Sequence, residues 1–487
     1  MFQKADRKKS RRLWQSVIFT LCYIVFHIFI AIHHEAWRDE GQSWMLVKNA
    51  SVTEMLSLLC VEGHPALWFF TIMPLVKMGL PFKAFSTISV LFMGICVFLL
   101  MYKSPFSDAI NLLIPFSTVF FYFNPVIPRI YSEALLVLVL IAIMYDKRDD
   151  YPWGYGLLLL LLSQTHVLFA GVTGALLFER MIHFFIADKK RTSIIPSVFG
   201  AVGGILAIAE LYPREGTKRS VEISVSQIFS SIDINVLDNR IRALFKNLWG
   251  SFGTDGRIIG DLYLCFLFVI LFMILLEKIQ VIEKIIGIVT IFISLCFPLF
   301  VVMFIYPAVH VQIASVFLMI IFFIAWIMYN SNLSKHFKMT ILAGLIVFSL
   351  LSFPVAIEYA AADISGEYSN SRKISEYIID NVELDAIIFV EDTEYNSAVY
   401  CYVTSERDDI LFYSITDYQE YNYHTWGDPY IPYTGLNVKL AKEELFPYST
   451  VYFLRTSPLE DDYLLNDIAS WAYDETPSGE TYFLYKI

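Results

Sequence analysis

The sequence predicts a polytopic α-helical membrane protein of about 11 spans joined to a small C-terminal α/β domain. Of its 487 residues, 56% are hydrophobic and only 17% charged, against about a quarter charged in a typical soluble chain. That composition excludes an ordinary cytosolic enzyme, a disordered chain and a nucleic-acid binder. The net charge of −11 is unevenly spread: residues 360–487 hold 7 Lys/Arg and 24 Asp/Glu, a net −17, which leaves residues 1–359 at +6. A membrane part, 1–359, and an acidic extracytoplasmic part, 360–487, therefore meet near residue 360.

A spanning helix needs about 20 mostly apolar residues. Such runs fall at 14–32, 65–82, 84–102, 106–124, 128–145, 155–186, 194–211, 260–276, 285–306, 308–329 and 340–359. The first has no small-residue cleavage site after it and reads as a span, not a signal peptide. The run 155–186 is long for one span and either tilts or breaks near Gln164-Thr165-His166. Pro115, Pro125 and Pro128 mark the hairpin between the fourth and fifth runs as irregular.

Sidedness follows the Lys/Arg bias of the loops. Lys4, Arg7, Lys8, Lys9, Arg11 and Arg12 place the N-terminus in the cytoplasm of a multi-pass protein of the cell membrane. Lys77, Lys83, Arg129, Lys189, Lys190, Arg191, Lys278, Lys284, Lys335 and Lys338 then fall in cytoplasmic loops. The short outer loops hold only Arg38, Lys48, Lys103, Lys147 and Arg148. An odd number of spans puts the C-terminal domain outside, with basic loops toward the anionic inner leaflet of the bilayer. The long outer segment 212–258 departs from the rule: Arg214, Lys218, Arg219, Arg240, Arg242, Lys246 and Arg257 lie in it. These cations suit either phosphate groups or a solvated loop.

In the C-terminal part, Ser371–Asn381 reads as an amphipathic helix with Ile374, Tyr377 and Ile378 on one face. Residues 386–390, 410–415, 450–454 and 481–485 are strand-like, 397–403 is helix or strand, and 464–471 reads as helix. The alternation predicts a small α/β domain. A tyrosine-rich stretch from Tyr413 to Trp426 either stacks on sugars or fills a small core. Six cysteines without motif spacing form neither a disulfide framework nor a zinc site.

The chemistry concentrates in the first outer loop. His33-His-Glu-Ala-Trp-Arg-Asp-Glu follows the first apolar run, so Asp39 and Glu40 sit at the outer surface, with Trp37 and Trp44 as interfacial anchors. Beyond Glu40 the chain reads as a helix lying on the membrane. It returns through Glu62-Gly-His-Pro, with Pro65 in the first turn of the second run. A partly desolvated carboxylate is a stronger base. Asp39 and Glu40 are sequence neighbours, so one performs chemistry while the other orients or binds an ion; Glu62 and His64 return to the same surface. Asp39, Glu40 and Glu62 could also hold a divalent cation with hard oxygen ligands.

This arrangement resembles the GT-C superfamily of integral-membrane glycosyltransferases, in particular the protein-mannosyltransferase and aminoarabinose-transferase branch. The resemblance rests on Asp39-Glu40, the membrane-surface helix and Glu62-Gly63-His64-Pro65. It covers residues 14 to about 330 in topology and short stretches in motif, and the outer C-terminal domain also fits. It implies a GT-C-like fold and an inverting hexosyl- or pentosyltransferase that needs no cofactor. It implies a polyprenyl-phosphate sugar donor and a glycan, glycolipid or protein acceptor. Asp39 is implied as general base toward the acceptor hydroxyl. The leaving phosphate needs cations or donors, for which His310, Arg214, Lys218 and Arg219 stand nearest, and Arg129 if the fourth–fifth hairpin reaches outward. Relatives are expected to carry an Arg near Tyr306–His310, where this chain has only His310.

His166 lies mid-run and touches donor or acceptor if the long run breaks there; otherwise it bonds a neighbouring helix. Arg129 and Glu133, one turn apart, read as a structural pair, His27 as structural, and Glu179, Arg180 and Glu210 as paired or reaching the interface. No nucleotide-binding glycine loop, nucleophile elbow or zinc spacing appears. The competing classes are a transporter, flippase or polysaccharide export protein, and a scaffold presenting the acidic domain. No internal repeat supports a transporter.

Overall fold

A computed structural model describes residues 2–187, 193–212, 234–249, 256–305, 311–391, 395–424, 433–459, 466–471 and 476–487. Among them, seven helices are long and apolar enough to cross a membrane, or eight when the bent pair Asp108–Phe116 and Val119–Val126 counts as one. The helical bundle begins with α1 (Phe2–His33). It is followed by three short helices, α2 (Arg38–Asn49), α3 (Val52–Glu62) and α4 (Leu67–Lys77), and then by α5 (Ser86–Lys103).

α1 and α5 lie antiparallel. The Arg12 Nε donates to the Met101 carbonyl (3.0 Å) near one end. Further along, Gly94 lets the helices close until an added Cβ would lie 2.7 Å from Ile24. The C-terminal end of α1 and the N-terminal end of α5 therefore share one end of the bundle, here the loop end.

α2, α3 and α4 all stay at the loop end. Lys77, the last residue of α4, donates to the Ala50 carbonyl (3.3 Å), and Lys83 pairs with Glu406 of the C-terminal domain (2.5 Å). The run 65–82, expected as a span, does not carry the chain to the other end. Its helix has 11 residues, about 16 Å at 1.5 Å per residue, half the thickness of a bilayer core. Trp37 and Trp44, expected as interfacial anchors, are buried, and most of α2 lies inside the protein.

The chain then returns through α6 (Asp108–Phe116) and α7 (Val119–Val126), bent by 68°. It turns at Arg129 and runs back as α8 (Ile130–Met144), whose Ser132 lies 3.1 Å from Ser89 of α5. The long run 155–186 is a hairpin of α9 (Pro152–Ser163) and α10 (Ala170–Ile182). Local bonds break it: Gln164 donates to the Gly203 carbonyl (3.1 Å), Thr165 to the Leu162 carbonyl (2.7 Å), and His166 Nδ1 accepts from the Leu168 N–H (3.1 Å). The break lies at the loop end, where Leu67 N–H reaches the Gln164 carbonyl (3.3 Å).

α11 (Ile195–Leu211) leads back toward the loop end, where Glu210 accepts from the Ala66 N–H (3.3 Å). α12 (Ile234–Trp249) stays there, with Phe245 packed on Tyr263 of α13 (Gly256–Leu276). α14 (Val281–Phe300) packs on α10, and α15 (Val311–Asn330) is buried along nearly its whole length at the bundle centre.

α16 (Lys335–Ser365) begins where Glu277 receives the Ser334 N–H (2.9 Å). It ends at Gly366, whose φ of +69° closes it with a left-handed cap. This helix passes without interruption through residues 359 and 360, the boundary expected from composition.

The C-terminal domain contains α17 (Ser371–Asn381), β1 (Ile387–Val390), α18 (Ser397–Thr404), β2 (Leu411–Ser414) and β3 (Gln419–Glu420). It continues with α19 (Gly435–Leu445), β4 (Val451–Arg455), β5 (Asn466–Trp471) and β6 (Tyr482–Lys486). The sheet order is β3-β2-β1-β4-β6-β5, with β1 parallel to β2 and β4. The stretch 464–471 was expected as helix, yet Asn466–Trp471 is a strand, paired antiparallel with β6 around a bulge. Its short apolar pattern suits either state, and the apolar β6 supplies the ladder that decides.

Candidate active site at the loop end

The loop that carries Asp39 is set by three local features. Trp37 is extended (φ −112°, ψ 177°) and caps α2, with its N–H directed to Glu40 Oε1 (3.4 Å). Successive helical residues point about 100° apart, so Asp39 and Glu40 diverge. Asp39 faces a cavity of about 290 Å³, whereas Glu40 turns inward and is fully buried. At the end of α3, Gly63 adopts φ +77°, a left-handed cap that glycine takes without steric cost, and the residues on either side, Glu62 and His64, both face the same cavity.

Arg129 joins them from the turn between α7 and α8. It was expected in a cytoplasmic loop and paired with Glu133. Instead its guanidinium pairs with Asp39 through Nη1 and donates to His64 Nε2 through Nη2 (2.7 Å). Glu133 accepts from Thr71 (2.8 Å). A guanidinium only donates, so His64 Nε2 accepts here and the ring proton sits on Nδ1. Arg38 Nε lies 3.7 Å from Asp39 Oδ1. His166 lines the cavity with its ring 4.8 Å from that of His64 and 5.5 Å from Tyr131. The opposite wall is apolar, with Leu168, Phe297, Val301 and Ile313.

Gln42, absent from the expected site, ties this cavity to the C-terminal domain. Its amide donates to Glu62 (2.8 Å) and to the His424 carbonyl (3.0 Å), and accepts the His424 N–H (2.9 Å). The domain grips the start of α2 as well. Arg38 N–H donates to Glu480 (2.8 Å), Ser397 to the Arg38 carbonyl (2.5 Å), and Ala36 N–H to the Tyr402 hydroxyl (2.9 Å). Burial raises the Glu480 carboxyl to about 7.

Behind the loop, His34 bridges two acids, donating from Nδ1 to Asp363 (2.8 Å) and from Nε2 to Glu40 (3.0 Å). Burial by itself would lower the His34 pKa, but the two carboxylates raise it to about 10, so the ring is an imidazolium at neutral pH. Burial raises the Glu40 pKa, and His34 opposes that rise.

Of the expected site residues, Asp39, Glu62, His64 and His166 meet in the cavity, and Glu40 does not. With Glu40 engaged by His34, the three acids named for a divalent ion do not converge. Among the described residues, no group of three or more His, Cys, Asp or Glu is arranged for a metal. His310, Arg214, Lys218 and Arg219 lie outside the described residues. Arg129 was legible as a cation beside an apolar run; its side was not. A comparison with protein-family models gives no match, and one with curated proteins gives none either.

Proposed function

We propose that this protein is a membrane glycosyltransferase that moves a sugar from a polyprenyl-phosphate donor to an acceptor hydroxyl at the outer face, with Asp39 as general base. The observation that carries this reading is one cavity with two chemistries. Asp39, Glu62, His64, Arg129 and Arg38 form its polar part, and Val167 and Leu168 before α10, Phe297 of α14, Val301 just after it and Ile313 of α15 form its apolar part. A lipid-linked sugar has the same division. Donors tethered to lipid are the form in which activated sugars reach the outer face, where nucleotide sugars do not occur.

In the reaction, Asp39 takes the acceptor's hydroxyl proton as that oxygen bonds to the anomeric carbon. The bond from that carbon to the phosphate oxygen breaks, with inversion, and polyprenyl phosphate leaves. Arg129 and Arg38 offset the charge that develops on the leaving phosphate. Arg129 pairs with Asp39 at the cavity. A bound phosphate competes for that guanidinium and leaves the carboxylate available to the acceptor.

The membrane path in this reading still has eleven traverses, but not the eleven read from hydropathy. α4 stays on the outer side, and α9 and α10 are separate traverses. The two changes offset each other in number. They move Lys77, Lys83 and Arg129 outside, and Lys103, Lys147 and Arg148 inside. A transporter gains little from a cavity whose described lining comes from one end of the helices.

The test is mass spectrometry of cell-envelope glycans, with and without the gene, combined with Asp39→Asn assayed for transfer from polyprenyl-phosphate sugars. Loss of transfer in a folded Asp39→Asn protein is expected, because the amide cannot accept the proton. Full retained activity removes Asp39 as the base.

A further inference from the structure

Glu40 has no access to the cavity, yet its surroundings are the most highly organised polar cluster behind the site. His34 stands between Glu40 (3.0 Å) and Asp363 (2.8 Å). The Tyr122 hydroxyl donates to Asp363 Oδ2 (2.5 Å), and the Glu35 N–H donates to Asp363 Oδ1 (3.2 Å). The Tyr368 ring packs 5.2 Å from that of His34. His34, Glu40, Asp363, Tyr122 and Tyr368 are all buried.

These groups come from five separate parts of the fold: the exit of α1, the first turn of α2, α7, the last turns of α16, and the segment after Gly366 that carries Tyr368. Arg372 of α17 adds a clamp by donating to the His34 carbonyl at the end of α1 (2.6 Å). Two buried carboxylates around one ring make sense when the ring is cationic. The cluster then carries one net negative charge, further stabilised by hydroxyl and amide donors.

We infer that the buried His34–Glu40–Asp363 network is the positioning device for Asp39, and that Glu40 serves the reaction only through it. The inference rests on the reading of Asp39 as base. Glu40 fixes the rotation of the first turn of α2 about its axis, because its carboxylate is held both by His34 and by the Trp37 N–H of its own cap. With Glu40 pinned inward, the neighbouring position is directed about 100° away, toward Arg129 and the cavity. Asp363 pins His34 in turn to the end of α16. The base is thus aligned against the bundle itself instead of hanging on a loop. The pair of adjacent acids is a base and its anchor, not two bases.

The experiment compares wild type, Asp39→Asn, Glu40→Gln, Glu40→Ala and His34→Gln in detergent micelles. The donor is whichever of a set of short-chain polyprenyl-phosphate hexoses and pentoses the wild type turns over. The quantities measured are kcat and donor KM per folded molecule, with folding followed by thermal unfolding. Misplacing a reacting group by about 1 Å costs roughly 100-fold. The expected result is a kcat lowered about 10- to 100-fold in Glu40→Ala and His34→Gln, with donor KM within about 2-fold of wild type. Glu40→Gln should recover part of the rate, because its amide oxygen still accepts from His34 and Trp37.

If Asp39→Asn is inactive while Glu40→Ala and His34→Gln keep the wild-type kcat per folded molecule, the inference is overturned and the function stands. A lower folded fraction with unchanged kcat also overturns it, since the cluster would then only stabilise the fold. An active Asp39→Asn, or a wild type that turns over none of the donors, sinks the reading of the site and this inference with it.

Discussion

Glu480 shows how a residue far along the sequence reaches the candidate site. It accepts from the Arg38 N–H, one residue before Asp39, and from the Ser369 hydroxyl (2.7 Å). Burial raises it from its ordinary 4.5 to about 7. A carboxyl raised in the folded state is most favourable when protonated, so its contribution is complete below about pH 4.5 and is lost as pH rises through about 7. Thermal stability should therefore fall between about pH 5 and 8, and Glu480→Gln should remove that part of the fall, the difference between the two profiles isolating this group. His34, raised to about 10, stays charged throughout this window. Asp39, Glu62, His64 and His166 were legible in the sequence because each stands beside the end or a break of an apolar run. Glu40 was expected beside Asp39 in the site, but the direction of its side chain depends on where the cap of α2 falls, and it is buried away from the cavity. Arg129 was misplaced because its side depends on counting every traverse before it. Nothing local marks Glu480 or Gln42, whose ties to Arg38 and to His424 join residues hundreds of positions apart.

Among the elements, α2 and α18 form the joint between the helical bundle and the C-terminal domain. Gly41 lets them touch: a Cβ there would lie 2.4 Å from Ala398 N and the Ser397 carbonyl carbon. These are backbone atoms that cannot rotate away. Gly41→Ala should force the helices apart and destabilise the protein by about 1–3 kcal/mol or more. The measurement is the thermal unfolding midpoint, together with proteolysis of the C-terminal domain; a midpoint and cleavage pattern like the wild type's would refute it. Elements with a clean period were readable. Ser371–Asn381 was expected as a helix and is one with those bounds, and β1, β2, β4 and β6 fall within a residue or so of the expected strands. The failures share a cause. Hydropathy reports how apolar a segment is, not how far it travels: α4 buries Trp68, Phe69, Ile72, Met73 and Val76 against the protein, leaves Phe70 and Leu75 exposed, and is only 11 residues long. Asn466–Trp471 has too short a pattern to declare itself, so its neighbour β6 assigns it.

At the scale of the whole molecule, the proposed membrane path, with α4 at the loop end, inverts the side of every later connection up to the α9–α10 break. In a cysteine-free background, Lys83→Cys should react with an impermeant thiol reagent applied outside cells. Tyr151→Cys should react only after the membrane is opened. The reverse pattern would restore the run 65–82 as a traverse. The class of the protein was legible from composition, and so was the acidic C-terminal part. The path was not, because hydropathy reads 65–82 as a span and 155–186 as one run, whereas the first stays at the loop end and the second is a hairpin. The grip of Glu480 on Arg38 joins residues 442 positions apart. At roughly 5–20 residues per second, a ribosome needs about 20–90 s to span that interval. During synthesis the first loop is thus threaded long before the domain that seats it exists. Until the final strands arrive, the Arg38 N–H lacks Glu480 and Gln42 lacks His424, and Asp363, which anchors the His34–Glu40 network, is also made late in the chain.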